Sequence, residues 1–446
     1  MRTRWCKLLV WFVFIFSIFL TIRLLLGKGI TQYIPIFVKR AERPKNAHQQ
    51  QDILNGPSTY AAGLYMAGKN PENSSFCRWY NNIHQELSYP PTEVIWSPGA
   101  GEKGPYRILP FIIGESIRTE ELPEVTLCTH ATADQVYHIV ELAKRWEGPL
   151  SFSIFAPGLD AGLAVALLDR ACRCEPAMEK VSVHLIFPSG RPPALGHINR
   201  SQGDCAASDL QWRKTETERK QRDMTYPINV ARNIARMQAG TERVLVSDIE
   251  LFPSEKLASG FLKMLHGRPL KTNVVFVVPV FEIETNEEPP RNKRQLIAAA
   301  RVGLAVYFHR YVCPHCQRFP GLTRWILRPD SGRISPLIVT RREFPNHRWE
   351  PVFIGTREDP LYTEDMTWEG RQDKMAQMFQ MCLLNYRLIV LDGAFLVHTP
   401  GIKRKAILSN IKPPSNRGQE KRNAIIYQSV VKRLLKQYPS NRRCRQ

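Results

Sequence analysis

The sequence has few acidic residues for its length. Its 446 residues carry 41 Asp and Glu against 62 Lys and Arg, a formal charge of +21. So basic a chain favours anionic partners such as nucleic acids, lipid headgroups and phosphorylated or acidic ligands, although a solvated basic surface is equally compatible. No internal repeat is present, and no nucleic-acid recognition motif accompanies the basic residues, so we expect no nucleic-acid partner.

The cysteine pattern lacks the second half of a zinc site. Cys313-Pro314-His315-Cys316 has the two-residue gap of a zinc-binding or redox pair, but Cys172-Arg173-Cys174 does not. A structural zinc needs four ligands, so a disulfide is favoured at the first of these motifs. Ten cysteines fit an oxidising compartment, and nine of them follow the first 26 residues. Because nine is odd, at least one cysteine is free or pairs between chains.

The N-terminus lacks a cleavage site. An apolar run over 8–26 follows a short basic tail, and about 20 apolar residues are enough to span a bilayer. No small-x-small cleavage site comes after it, so an uncleaved signal anchor is favoured over a cleaved signal peptide. We predict a cytoplasmic tail at 1–7, a transmembrane signal anchor at 8–26 and a stem at 27–75, which is rich in proline and polar residues.

The remainder of the chain is then expected in the lumen of the secretory pathway. Two N-glycosylation acceptors, Asn73 in Asn73-Ser74-Ser75 and Asn199 in Asn199-Arg200-Ser201, agree with this topology, although such triplets also arise by chance. The last residues, 406–446, form a basic C-terminal segment.

From about residue 124, short apolar strands alternate with amphipathic helices. The predicted strands are 125–128, 150–155, 181–187, 244–246, 274–281, 388–391 and 395–397. The predicted helices are 134–146, 161–171, 227–238 and 374–384. This alternation predicts an α/β domain with a mixed, mostly parallel sheet that is covered by helices on both faces.

An acidic pair, Asp248-Ile249-Glu250, follows the fully apolar strand at 244–246. In open α/β sheets, ligands bind beyond the carboxyl ends of the strands. Two carboxylates there can meet a divalent cation that also binds a diphosphate, and the cation would stabilise a leaving nucleoside diphosphate. Acid-x-acid pairs are common in loops, so the position after a buried strand is what favours a site.

Several blocks around this pair occur together in one order. They are YPINVARNIAR at 226–236, VLVSDIELFPS at 244–254, 125–131, the segment 368–385, and AFLVH at 394–398. In this combination the chain resembles glycosyltransferase family 49, which includes the beta-1,4-glucuronyltransferase and the LARGE-type enzymes. The resemblance covers roughly 120–405, which we predict to be the catalytic domain.

The resemblance implies a GT-A type fold, an inverting mechanism and a UDP-sugar donor. The acid-x-acid motif of the family falls on Asp248 and Glu250 as metal and donor ligands for Mn²⁺ or Mg²⁺. Glu250 stands where the family usually has Asp, which puts activity in some doubt. The late His of the family, a third metal ligand, falls on His398, although a lone His at a strand end is more often structural.

An inverting transfer needs a general base that takes the proton of the acceptor hydroxyl. In the segment 368–373, Trp368 could stack on an acceptor sugar, Gly370 allows close approach, and Glu369 or Asp373 could be the base. Asp373 could instead simply favour the first turn of the following helix.

Three further residues are candidates for donor binding, together with Asp248. Thr129 and His130 lie at the end of the first predicted strand, where GT-A folds usually hold the uridine. Arg232, on the predicted helix 227–238, could pair with a phosphate or with a uronate carboxylate, or lie on a solvated helix face.

We therefore predict a Golgi type II membrane glycosyltransferase that moves a sugar, with glucuronic acid among the candidates, from a UDP-sugar to a glycan or glycoprotein acceptor. The alternative is a catalytically weak, lectin-like or chaperone-like relative, which the substitution at Glu250 and the undecided base suggest. A homodimer is left open by the sequence.

Overall fold

The computed structural model describes ten stretches of the chain: residues 75–79, 94–99, 104–115, 121–194, 216–267, 272–285, 287–399, 401–404, 416–439 and 441–444. The predicted tail, the anchor, nearly all of the stem and both glycosylation acceptors, Asn73 and Asn199, lie outside them. No helix within these stretches is long and apolar enough to cross a membrane.

Strands and helices alternate through most of the described chain. The strands are β1 (Arg78–Trp79), β2 (Ile95–Trp96), β3 (Tyr106–Gly114), β4 (Val125–Thr132), β5 (Leu150–Phe155), β6 (Val181–Pro188), β7 (Arg243–Val246), β8 (Leu251–Pro253), β9 (Val274–Val277), β10 (Val280–Ile283), β11 (Ala305–Tyr307), β12 (Ser335–Thr340), β13 (Phe353–Thr356), β14 (Arg387–Asp392) and β15 (Leu396–His398). The α-helices are α1 (Ile139–Arg145), α2 (Asp160–Cys174), α3 (Glu218–Gln221), α4 (Ile228–Met237), α5 (Leu257–Leu265), α6 (Lys293–Arg301), α7 (Pro314–Gln317), α8 (Leu322–Leu327), α9 (Met375–Leu383) and α10 (Asn416–Gln437).

The larger sheet is mixed. Its strand order is β1-β3-β6-β5-β4-β7-β13-β9-β14-β12, and β2 pairs with β3. The central strands β6, β5, β4 and β7 are parallel, as are β9 and β14. Antiparallel strands complete the sheet: β3 beside β6, β13 between β7 and β9, and β12 at the far edge.

The side chains of β5 show why helices cover both faces of this sheet. Phe152 and Ile154 point into the main apolar core, which α1 and α2 close. Ser151 and Ser153 alternate with them and point the other way. Their hydroxyls donate to the carbonyl oxygens of α4, from Ser151 to Ala235 O at 2.6 Å and from Ser153 to Ala231 O at 2.5 Å. Small polar residues at these positions thus hold α4 close to the sheet.

A second sheet has the order β11-β10-β15-β8. The strand predicted at 274–281 is in fact two strands, because the chain leaves the large sheet after Val277 and enters the small one at Val280. Pro279 lies between them and has no N–H for a sheet ladder, so the pairing cannot run through it. Its carbonyl oxygen accepts the N–H of Leu396, 2.8 Å away.

The C-terminal helix α10 packs on α9 through Val430, Val431 and Leu434. A disulfide, Cys382–Cys444, also joins the two regions. The segment after residue 405 therefore shares a core with the domain that precedes it.

Two more disulfides, Cys77–Cys172 and Cys313–Cys316, lie within the described residues, and Cys174 is also disulfide-bonded. Among the described cysteines only Cys128 is free; it is buried in β4, where burial raises the pKa of its thiol. The disulfide favoured at the Cys313 motif is therefore present.

Candidate active site

The acid pair lies where the chain crosses from the large sheet to the small one. The N–H of Ser247 extends the ladder of β7 by donating to Cys128 O of β4 at 2.9 Å. The N–H of Leu251 then donates to Asp248 O at 3.0 Å, which closes a tight turn into β8. Asp248 and Glu250 therefore stand beyond the carboxyl end of β7, with each side chain 35% exposed.

Asp248 lies against two buried side chains. The guanidinium of Arg232 on α4 donates from Nη2 to Oδ1 at 3.2 Å, and Nε2 of His130 on β4 is 3.2 Å from the same oxygen. Nδ1 of His130 is 2.8 Å from the hydroxyl of Tyr226. Two groups deep in the protein thus hold one face of the Asp248 carboxylate, while its other face is open.

These neighbours fix the charge of Asp248. Burial alone would raise the pKa of its carboxyl, but Lys374, His130 and Arg232 together hold that pKa well below its usual range. Burial would likewise lower the pKa of Arg232, yet Asp373 and Asp248 outweigh burial and raise it. Both groups are therefore ionised at any physiological pH.

Glu250 faces the small sheet. Nε2 of His398, at the end of β15, is 3.2 Å from Glu250 Oε2, although the contact lacks the geometry of a hydrogen bond. Burial tends to raise the pKa of Glu250, but His398 and then Lys403 lower it overall. Burial lowers the pKa of His398 itself, so its imidazole is neutral at pH 7 and its nitrogen can bind a cation.

The donor set at this turn fits a divalent cation. Two partly exposed carboxylates and a neutral imidazole, whose buried Nε2 makes no hydrogen bond, suit Mn²⁺. In the described chain, however, the one group of three such ligand atoms within 4.8 Å of one another belongs to Cys313, His315 and Cys316. Glu250 and His398 are already adjacent, whereas the Asp248 side chain, which contacts Arg232 and His130, would have to move to join them.

The two predicted general bases are both hydrogen-bonded. Asp373 accepts from Nη1 of Arg232, so Arg232 bridges Asp373 and Asp248. Glu369 accepts from Tyr226 N at 3.0 Å and from Arg219 Nη2 at 2.6 Å. The carboxylate of Glu369 thus joins its own loop to the start of α4.

The rest of this loop presents one aromatic face. The indole of Trp368 is 58% exposed and free to stack on a sugar. Gly370 does permit a close approach, but the neighbour is Asn423 of α10, whose amide would lie 2.2 Å from a Cβ at this position. Asn423 also donates to Thr367 O and Arg371 O, so α10 holds the shape of the loop.

The two residues predicted to contact uridine lie within β4 and not at its end. Because they are consecutive in the strand, their side chains point to opposite faces of the sheet. His130 is on the face that α4 covers, beside Asp248. Thr129 alternates to the other face, that of Leu127 and Ala131 in the main core, and is fully buried. The structure thus brings together His130, Arg232, Asp248 and Asp373, and leaves Thr129 apart from them.

Sequence reasoning missed two charged residues near this site. Lys374, at the start of α9, is the strongest of the charges that lower the pKa of Asp248. Glu350 has a carboxyl whose pKa is raised to about 7, first by burial and then by Asp373. The described residues make no hydrogen bond or ion pair to that carboxylate. Lys374 directly follows Asp373, a predicted base, and this position could have drawn attention to it. Nothing in the sequence marks Glu350.

Comparison with known proteins identifies the family. A family model described as "Glycosyl-transferase for dystroglycan" matches residues 124–439, well over half of the chain. The chain belongs to this family. It is a glycosyltransferase, and the GT-A type fold implied by the family resemblance agrees with its mixed α/β sheet and with the acid pair beyond β7.

Its relatives include two named enzymes. Beta-1,4-glucuronyltransferase 1 of Danio rerio is 29% identical over 76% of this chain and 82% of its own length. Xylosyl- and glucuronyltransferase LARGE2 of Homo sapiens is 23% identical over 62% of this chain, a match that spans only 33% of LARGE2. Among solved structures, TarS 1-349 of S. aureus is similar at 12% identity and a TM-score of 0.32, over 62% of this chain and 60% of TarS.

Proposed function

We propose that this glycosyltransferase transfers glucuronic acid from a UDP-sugar to a glycan acceptor in an inverting, metal-dependent reaction. The observation that carries the proposal is the pair Asp248 and Glu250 beyond β7, with Arg232 beneath one acid and His398 beside the other. Support for glucuronic acid comes from the names of the relatives. The apolar run at 8–26 supports a type II anchor in the Golgi membrane.

The metal would be Mn²⁺ or Mg²⁺, held by Asp248, Glu250 and His398. When bound, it supplies positive charge to the diphosphate that leaves as the glycosidic bond breaks. Asp248 enters this role already ionised, because its pKa lies well below neutrality. His398 enters it unprotonated, because burial lowers its pKa.

Two cations of the chain itself suit an anionic donor. Arg232 is buried and always charged, and Lys374 makes no ion pair with the described residues while acting strongly on Asp248. A UDP-sugar carries a diphosphate, and a glucuronyl group adds a carboxylate. Arg232 and Lys374 are two cations suited to these two anionic groups. The exposed indole of Trp368 offers an acceptor sugar a flat apolar surface.

Three carboxylates compete for the role of general base. Glu369 and Asp373 remain candidates, but their carboxylates already accept hydrogen bonds from Arg219 and Arg232. Glu350 has no such bond among the described residues, and its pKa of about 7 suits a base that works near neutral pH. We therefore favour Glu350 over the two bases predicted from sequence.

The purified protein, supplied with Mn²⁺ and a panel of UDP-sugars, should release UDP fastest from UDP-glucuronic acid. Removal of the metal with EDTA should stop release, and added Mn²⁺ should restore it. Asp248→Asn should lower turnover by about 10²–10³-fold, as does the loss of one strong electrostatic contact to a transition state. Arg232 keeps its hydrogen bond to Asp373 in this variant, so the free energy of unfolding should fall by less than in a variant that removes Arg232.

Asp365→Asn is the matched control, since Asp365 is exposed and lies outside the acid pair. Turnover by Asp248→Asn at the level of this control would remove the metal site from the proposal. No UDP release from any donor, together with binding of glycans, would favour a lectin-like relative instead.

A further inference from the structure

A cavity lies away from the acid pair. Its volume is about 650 Å³, in the range of small-ligand sites, and it is bordered by α5, the start of α6, residues 330–336 and Gly393. Gly393 comes before β15, whereas His398 ends that strand. The cavity and the metal-binding candidates are therefore at opposite ends of the small sheet, and one ligand of monosaccharide size cannot occupy both.

The rim of this cavity is rich in positive charge. Lys256, Lys263, Arg291 and Arg333 line it and are exposed. Arg291 has a loose contact with Glu288, 3.8 Å away, but the described residues make no ion pair with the other three. Two acids, Glu255 and Asp330, also line the cavity.

The carboxylate of Asp330 is hydrogen-bonded within its own turn, because its Oδ1 accepts the N–H of Gly332 at 2.9 Å. The floor is also positively charged overall. Lys293 is fully buried and its Nζ is 2.5 Å from Asp392 Oδ1. Nε of Arg328 is 3.2 Å from the other oxygen of Asp392. Lys293 lines the cavity, and it and the half-exposed Arg328 thus share one carboxylate beside it, which leaves a net positive charge there.

Two helices begin at this cavity. Lys256 precedes α5 and Asn292 precedes α6, and both residues are part of the lining. Helix N-termini favour anions, but one N–H in each first turn is already bonded here, from Ser259 to Glu147 Oε2 at 3.0 Å and from Gln295 to Asn292 Oδ1 at 3.0 Å. The positive charge of the cavity therefore comes mainly from its side chains. Lys256, which lines the cavity, has a left-handed backbone with φ of 53°, a conformation that costs a lysine free energy.

We propose that this basic cavity is a second binding site, which takes an acidic saccharide through its carboxylate or sulfate group. The exposed cations of the rim and the surplus positive charge beside Lys293 favour an anion. The volume accommodates a sugar ring in addition to the anionic group. The choice of a saccharide over a free anion rests on the proposed function, since the product of a glucuronyl transfer is itself an acidic glycan.

Titration calorimetry on the whole protein tests this assignment with four probes: a glucuronate-containing disaccharide, a sulfated disaccharide, a neutral disaccharide and inorganic phosphate. We expect the two acidic disaccharides to bind, and Lys263→Gln and Arg333→Gln each to weaken them about tenfold, the scale of one charge-assisted hydrogen bond. Lys436→Gln, an exposed lysine of α10, is the matched control and should bind as the wild type does.

Equal affinity of Lys263→Gln and the wild type would overturn the site. Equal affinity for the neutral disaccharide, or equally tight binding of inorganic phosphate, would overturn its assignment to acidic saccharides. UDP release with a small acceptor should be unchanged in Lys263→Gln. A failed UDP-sugar panel together with the expected binding data would reject the transferase proposal and leave the basic cavity in place.

Discussion

Asp248 and Glu250 are separated by one residue, yet different parts of the molecule hold them. The side of Asp248 belongs to the large sheet and its helices, where Arg232 joins it to Asp373. The side of Glu250 belongs to the small sheet, where the imidazole of His398 approaches it. Among the described residues, Asp248 is thus part of an ionic network around buried Arg232, whereas the one ion-pair contact of Glu250 is with His398.

The different surroundings of Asp248 and Glu250 suggest different tasks for the two acids of one motif. A carboxylate in a network of buried cations keeps its charge and its place before any ligand arrives. A carboxylate beside one neutral imidazole can adjust to an ion, and a longer side chain such as that of Glu250 is tolerated better there. We infer that Asp248 carries the larger share of the electrostatic work and that Glu250 tunes the metal.

The largest expected effect comes from removing the centre of the network. Arg232→Met leaves Asp248 and Asp373 without their shared buried cation, and breaking a buried ion pair costs about 3–5 kcal/mol. We expect the free energy of unfolding, measured by urea denaturation, to fall by that amount. The control is Arg222→Met, which removes a half-exposed arginine paired with Glu218 and should cost no more than about 1 kcal/mol. Equal losses in the two variants would contradict a special role for the network.

The next effect concerns the base on the same side of the site. Glu350→Gln should lower kcat by about 10²–10⁴-fold, the usual contribution of a general base. A base acts when deprotonated, so wild-type kcat/KM should rise as pH increases through about 7, the pKa of Glu350. The variant should lose this rise.

Glu369→Gln is the matched comparison for this variant, because its carboxylate is bonded to Arg219 and Tyr226 N. We expect it to affect folding stability more than the pH profile. A normal pH profile in Glu350→Gln and a flat one in Glu369→Gln would return the role of base to the residue predicted from sequence.

Much of the frame of this site follows from local patterns. Apolar strands and amphipathic helices define β4 to β7 and α4, and the carboxyl end of β7 marks Asp248 as a ligand-binding position. Arg232 was also identifiable, as a cation on the helix that covers this edge. Its bridging of Asp248 and Asp373 was not, because Asp373 is 141 residues further along the chain.

The rest depended on long-range packing that no periodicity records. Glu350 lies in an irregular segment, and its pKa is raised first by burial and then by Asp373, neither of which the local sequence records. Gly370 does permit a close approach, as predicted, but the local sequence could not show that the approaching group comes from α10. The break at Pro279 was readable from the residue type, but the valines and phenylalanines on both sides of it suggested one strand.

The smallest expected effect is on the side of Glu250. Glu250→Asp keeps a carboxylate but withdraws it from His398, now 3.2 Å away. Loss of an outer contact of a metal site typically costs roughly 10–100-fold, and turnover should change by less than this. The Mn²⁺ concentration that gives half-maximal UDP release should shift. Glu250→Gln, which removes the charge at nearly constant shape, is the control and should lose more activity. If Glu250→Asp instead lost as much turnover as Asp248→Asn, the two acids would share one task, and the contrast between the two sheets would have no bearing on catalysis.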